Sequence, residues 1–323
     1  MTGNDIRWGI IGCGDVTERK SGPAFQKVKG SRLVAVMRRN RDKAEDYAQR
    51  HGVPKWYDKA EDLIHDPDVN AVYVATPPSS HKEYTLAAAK ALKPVYVEKP
   101  MAMRYSECQE MIETCEKQGV PLFVAYYRRA LPRFLKIKFL LDSGAIGAIR
   151  FVNILYQEKP RTKDLRGEKH WRVDPAIAGG GYFCDLASHM LDFLQYCIGD
   201  IQSATGFSSN QMELYKAEDM VSGTFEFPEN ILGTGIWNFN AYTHKDRTEI
   251  IGEKGRIIYS TFNEEPILFE NDAGTKSFRI KNPPHIQQPL IQLVVNSLLG
   301  KGDCPSTGHT AARTSWVMDR ILD

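Results

Sequence analysis

Neither sign of charge predominates in this chain: 42 Lys and Arg stand against 40 Asp and Glu in 323 residues, a formal net charge of +2. So even a balance implies no basic face, and nucleic acid is not expected as a partner. Long apolar runs are missing too, and no stretch reaches the roughly 20 residues of a membrane span. The apolar run Ile6–Ile11 follows five mostly polar residues, which predicts no signal peptide and, by default, a cytoplasmic protein without membrane attachment. Cysteine is sparse. Cys13, Cys108, Cys115, Cys184, Cys197 and Cys304 are scattered, with no C-x-x-C pair and no Cys/His cluster, so they read as reduced thiols used mostly in packing, and no metal is expected. Internal repeats and low-complexity linkers are also absent.

What remains is an ordinary globular composition, 42% hydrophobic and 25% charged, long enough for two domains. Two textures divide the chain. Up to about residue 125, short apolar runs at 6–11, 33–37, 71–75, 95–97 and 122–125 alternate with amphipathic stretches. That alternation predicts βαβ units and a parallel sheet covered on both faces, an α/β domain over residues 1–125. From about residue 145 the period falls to two, in 149–156, 223–227, 231–240, 247–251 and 255–260, with helical segments around 183–196 and 290–299. Residues 126–323 therefore read as an α+β domain on a mostly antiparallel sheet.

The first chemical signal is Gly9-Ile-Ile-Gly12-Cys13-Gly14-Asp15-Val16-Thr17. Glycines after a strand allow a tight turn and a close backbone approach to a pyrophosphate, which then sits at the next helix's positive end. Thr17 replaces the third glycine of that pattern. Arg38, 21 positions beyond Thr17 and at the end of the second strand, occupies the place where an acid would accept bonds from the ribose 2′-OH of NAD. A guanidinium there instead suits a 2′-phosphate, so Arg38 and Arg39 point to NADP(H) before NAD(H). The alternative is a solvated pair at the start of a helix capped by Asn40.

Two further strands end in Thr76-Pro77-Pro78 and Glu98-Lys99-Pro100, at the side of a doubly wound sheet where ligands bind. Lys99, if partly desolvated near a nicotinamide, would hydrogen-bond a substrate oxygen and stabilise a developing alkoxide; otherwise it is a solvated lysine. Later, Gly179, Gly180 and Gly181 open a helix on which Asp185 and His189 lie one turn apart. An acid at that spacing can raise the basicity of the imidazole for proton exchange, Asp192 could orient it instead, and a plain surface ion pair is the competing reading. The glycines tilt the balance, because small residues admit a bulky ligand.

Taken in order, "GIIGCGD", "VATPPSSH", "VEKPMAM", "AYYRR", "WR" at 171, "GGGYFCDLASHMLD" and "QQPLIQ" resemble the glucose-fructose oxidoreductase, inositol dehydrogenase and rhizopine catabolism (Gfo/Idh/MocA) family over nearly the whole chain. The resemblance implies an N-terminal Rossmann dinucleotide domain and a C-terminal open, mostly antiparallel sheet, through which homodimers or homotetramers form. It also implies an NAD(P)-dependent dehydrogenase or reductase acting on CH–OH groups of a sugar, polyol or related carbohydrate. Lys99 would contact the substrate oxygen, and Asp185 with His189 would handle the proton. Thr76, Pro77, His81, Glu98, Lys99, Arg128, Trp171 and Arg172 would line the cofactor, together with the glycine turn and Arg38. The sequence's own contribution to a substrate site is a set of polar and aromatic groups, Tyr127, Arg128, His170, Trp171 and Arg172. A redox-assisted glycosidase and a non-catalytic NADP-binding sensor are the alternatives on the same fold.

Overall fold

A computed structural model describes residues 5–323, which form two compact units. One reaches to Tyr127 and takes in Pro283–Ala312; the other is Arg128–Asn282 with Arg313–Asp323. Where the texture suggests one crossing near residue 125, the chain crosses after 127, 282 and 312.

The first unit is built on a parallel sheet of six strands: β1 (Ile6–Ile11), β2 (Ser31–Met37), β3 (Lys55–Tyr57), β4 (Ala71–Val74), β5 (Val95–Val97) and β6 (Leu122–Val124). Their order, β3-β2-β1-β4-β5-β6, reverses direction between β1 and β4. Strands β4, β5 and β6 are buried at every position, which is why they read as unbroken apolar runs. β3 is an edge strand of three half-buried residues, too short and too polar to stand out in the sequence. An aromatic cluster fills one side of the sheet: Phe25 lies 4.9 Å from Trp8, and Tyr73 stacks on Tyr96 at 5.0 Å. The returning segment covers this unit. Its helix Gln288–Leu298 packs on the helix Gly22–Lys27, with Gln292 bonded to both backbone groups of Lys29. Farther along, Ser306 takes the edge of β6 through Val124.

The second unit carries eight strands, β7 (Ile149–Gln157), β8 (Ser203–Ser209), β9 (Met220–Phe227), β10 (Ile231–Asn238), β11 (Lys245–Gly252), β12 (Arg256–Tyr259), β13 (Ile267–Asn271) and β14 (Gly274–Phe278). They run in the order β14-β13-β12-β11-β7-β10-β9-β8; β7 and β10 are parallel and the other pairs antiparallel. The helix Tyr182–Ile198 packs on this sheet, with Phe183 edge-on to Trp237 at 5.0 Å. Among the described residues no helix is long and apolar enough to cross a membrane.

Inside the second unit, Asp192 receives two bonds from Arg129, at 2.9 and 2.7 Å, with both residues buried. Burial pushes the Asp192 carboxyl up while Arg129 pulls it down. The bidentate pair is thus a core fastening, since stranding either charge there would be strongly unfavourable.

Candidate active site

The glycine turn shows which of its residues the fold itself needs. Gly12 has φ +90°, and a Cβ there would fall 2.7 Å from the Thr76 methyl, so backbone conformation and packing both demand glycine. Gly14 is different: a Cβ there would meet nothing closer than the Gly12 carbonyl oxygen at 3.8 Å. Its open face is the side a dinucleotide needs for close approach, and these residues therefore fit that cofactor. Thr17 folds inward and donates to the Gly14 carbonyl at 2.8 Å, while Tyr47 donates to the Thr17 carbonyl at 2.9 Å. Being fully buried, Thr17 supports the turn from behind. Asp15 is exposed and Val16 half-buried. Burial pushes the Cys13 thiol up to about 11, which keeps it protonated in the turn.

Glu18, in the helix after the turn, is bound by both Arg50 and His51 at 2.8 Å. These bonds, the Arg50 pair foremost, hold its carboxyl down at about 2 against an ordinary 4.5. A depressed acid contributes stability above its unfolded value and loses it as pH falls through the folded one. Glu18→Gln should therefore lower unfolding stability by up to about 1 kcal/mol at pH 7, as for a partly exposed pair. The difference from wild type should fade between pH 4.5 and about 2 in parallel urea titrations, and persistence at pH 2 would contradict the assignment.

Arg38 and Arg39 separate in the structure. Arg38 is half-buried, and its guanidinium donates to the Cys13 carbonyl at 3.3 Å, so it lies against the glycine turn. Arg39 is exposed. Asn40 caps the helix Arg41–His51 by accepting from Lys43 N–H, as the capping alternative expected, without removing Arg38 from the turn.

Behind β4 and β5 lies a polar network absent from the sequence reading. Buried Glu98 accepts at Oε1 from Tyr73 and from Gln287, each at 2.6 Å, and at Oε2 from the Lys99 N–H at 3.2 Å. Tyr96 in turn donates to Gln287 Oε1 at 3.1 Å. Burial and the Glu98 charge push the Tyr73 phenol well up, so it remains a donor. The carboxylate thus fixes the backbone at Lys99, whose side chain is half-buried. Gln287 stands in the "QQPLIQ" stretch; nothing local ties it to a strand end 189 residues earlier. The segments are also fastened by His81, wholly buried, with Nε2 2.7 Å from the Thr76 carbonyl oxygen and Nδ1 3.0 Å from that of Pro100. Burial lowers its pKa. Where the resemblance put His81 against the cofactor, the structure turns both ring nitrogens toward backbone carbonyls, of which a neutral ring bonds one, one step behind Thr76 and Pro77, which are half-buried. Tyr127 is buried at the end of this unit.

In the second unit Asp185 and His189 lie on the helix Tyr182–Ile198; Asp185 is half-buried and His189 only 3% exposed. Arg172 approaches Asp185 at 3.5 Å and lies 4.4 Å over the Trp171 ring. Phe262 sits edge-on to His189 at 6.1 Å, and Arg128 covers Phe262 at 4.7 Å while donating to the Thr261 carbonyl. Asp192 is engaged by Arg129 as above. The glycine run has a different purpose from the one expected: Cβ atoms on Gly180 and Gly181 would strike Cys184 Sγ at 2.5 Å and Ala217 at 2.8 Å, and the Gly181 N–H donates to Glu218 at 2.7 Å. Protein, not ligand, fills that space. Gly179, at φ +80°, ends the short helix Pro175–Ala178.

Ahead of this helix, the buried Asp164 accepts from the Tyr182 hydroxyl at 2.9 Å and from His170 Nε2 at 2.7 Å. Arg161 stacks 3.9 Å over the Tyr182 ring and binds Glu158. Of this group only His170 carries a sequence expectation; the rest belong to a charged loop that looks merely solvated in the sequence.

Comparison with known proteins agrees with this architecture. Residues 6–126 match the oxidoreductase family with an NAD-binding Rossmann fold, and residues 134–258 match the GFO/IDH/MocA C-terminal domain. The chain is 42% identical over 315 residues to "Oxidoreductase P35" of Formosa agariphila, covering 97% of each protein. It is 28% identical to a myo-inositol 2-dehydrogenase of Thermotoga maritima, over 85% of this chain and 81% of that one. Among solved structures, levoglucosan dehydrogenase in complex with NADH and levoglucosan superposes with a TM-score of 0.86 at 21% identity, over 98% of this chain and 96% of the other.

Proposed function

Because the chain belongs to the Gfo/Idh/MocA family of NAD(P)-dependent oxidoreductases, we propose that it moves hydride between NADP(H) and a hydroxyl-bearing carbon of a sugar or polyol. The observation that carries the cofactor choice is Arg38, half-buried and held against the Cys13 carbonyl. Its donor fork suits a 2′-phosphate, where a carboxylate would repel one. The substrate class follows the relatives, one named for an inositol and one solved with a sugar anhydride.

The glycine turn, Arg38, Thr76 and Pro77 would hold the cofactor, which supplies the hydride acceptor or donor when bound. The protein's own groups do the remainder. Lys99 donates a hydrogen bond to the substrate oxygen and steadies its negative charge. His189, buried against Phe262, exchanges the hydroxyl proton. Asp185, near Arg172, completes the proton-handling group. We assign a homo-oligomer formed through the second unit's sheet, and a cytoplasmic setting, to the same reading.

A panel of sugars and polyols, followed by NADPH absorbance, tests the reaction. Net turnover supports it, product without net redox would indicate glycoside cleavage, and cofactor binding alone a sensor. Arg38→Asp should weaken NADPH binding about 10- to 100-fold, the worth of one charge-assisted bond, and improve NADH relative to NADPH. Fluorescence titration of both cofactors checks this, and a wild type that prefers NADH would overturn the NADP assignment.

A further inference from the structure

The loop before the helix Tyr182–Ile198 gathers three cations within the second unit, Arg161, Lys163 and Arg172. Two have carboxylate partners: Arg161 binds Glu158 at 2.7 Å, and Arg172 lies 3.5 Å from Asp185. Lys163 does not. Among the described residues no carboxylate lies within ion-pairing distance of it, although Asp164 is its chain neighbour. Asp164 instead spends its oxygens on the Tyr182 hydroxyl and His170 Nε2. The Lys163 ammonium meets His170 Nδ1 at 3.3 Å. An ammonium can only donate, so Nδ1 accepts and the ring carries its proton on Nε2, toward Asp164. Lys163 is thereby held in place by an acceptor nitrogen, with N–H capacity to spare.

The surroundings disfavour that charge. Burial, then Arg161 and Arg172, lower the Lys163 pKa, and the attraction of Asp164 and Asp185 does not make up for it. Arg161 and Arg172 are already balanced by Glu158 and Asp185, so a neutral hydroxyl would leave the Lys163 charge without a counter-ion, whereas an anion would supply one. We infer that Lys163, anchored by His170 beside Arg161 and Arg172, is the contact for an anionic group on the substrate, so that the enzyme takes acidic carbohydrates, a carboxylate or a phosphate ester, in preference to neutral ones. The inference rests on the oxidoreductase reading, because it places the acid recognised by Lys163 on the same molecule that is oxidised or reduced. The Tyr182 hydroxyl joins the two: it bonds Asp164, which also holds His170, and Tyr182 opens the helix that carries Asp185 and His189.

The test compares D-glucuronate, glucose 6-phosphate and D-glucose with the full-length protein at saturating NADP(H). Affinity is measured by calorimetry, and turnover separately by absorbance. Wild type should bind at least one anion about tenfold or more tightly than glucose, the effect of one charged hydrogen bond, and the preference should shrink with added salt. Which anion is preferred distinguishes carboxylate from phosphate. Lys163→Met should reduce the anion-to-glucose affinity ratio about tenfold, while Lys163→Arg keeps most of it. Equal affinities in wild type, absence of binding by all three, or a ratio unmoved in Lys163→Met would overturn the inference. The wild-type comparison decides it even where Lys163→Met fails to fold. Anion binding without absorbance change would count against NADP(H)-linked turnover of these sugars and leave the anion contact standing; turnover of neutral sugars without anion preference would do the reverse.

Discussion

Replacing His189 by alanine is expected to lower turnover by roughly 10²- to 10⁴-fold, the usual worth of a positioned acid or base. The residue sits on the buried face of a helix with Phe262 against its ring, so its orientation is set by packing rather than by solvent. The helix around it is secured elsewhere, by Phe183 on Trp237 and by the Arg129–Asp192 pair. Removal of the ring should therefore subtract chemistry while leaving the fold. NADPH affinity, measured by titration, should stay near wild type, because the residues assigned to the cofactor turn lie in the other unit. Unchanged turnover across pH would remove His189 from the mechanism. Parallel loss of turnover and thermal stability would make it a packing residue.

Lys99→Met should abolish most activity without unfolding the protein. Methionine retains the apolar stem at similar length and deletes the ammonium, so the loss belongs to the charge and its hydrogen bond. The cost, about 3 kcal/mol or some 10²- to 10³-fold, is that of one preorganised donor at a developing oxyanion. Preorganisation is visible in the network behind the residue: Glu98, held by Tyr73 and Gln287, takes the Lys99 N–H and sets the direction from which the side chain departs. Single-turnover hydride transfer at saturating NADP(H) is the measurement. A variant that transfers hydride at the wild-type rate with its melting temperature intact would show Lys99 to be an ordinary lysine.

The parallel sheet was legible because strands buried on both faces can only be apolar runs, and the glycine turn because its position after the first run is part of the pattern. β3 escaped because Lys55-Trp56-Tyr57 is brief and half-exposed, with neither alternation nor a run to mark it. The amphipathic period of the helix Gln288–Leu298 announces a buried face without naming the surface that buries it, so its return to the first unit had no local sign. The same limit governs the site. Asp185 and His189 announce themselves by spacing, whereas Gln287, Glu218 and Asp164 act on partners 189, 37 and 18 residues away. The glycine run was misread in part for that reason: the need for small residues was plain, but what fills the space at Gly181, Ala217 and Glu218, comes much later in the chain, while at Gly180 it is the nearby Cys184.

The return of residues 283–312 also bears on the order in which the protein can be completed during synthesis. When the ribosome has delivered β6, all six strands of the first sheet exist, yet Glu98 has only the Tyr73 hydroxyl of its two side-chain donors, and the edge of β6 lacks Ser306. Those partners emerge only at residues 287 and 306 of 323, after the entire second sheet. The strand end that carries Lys99 therefore acquires its final support late, through a closure spanning 189 residues whose entropic cost grows slowly with length but whose search is long. Until then the nascent chain displays a nucleotide fold with an unfinished Glu98 site, so maturation of that site is timed by the far end of the chain rather than by the domain that contains it.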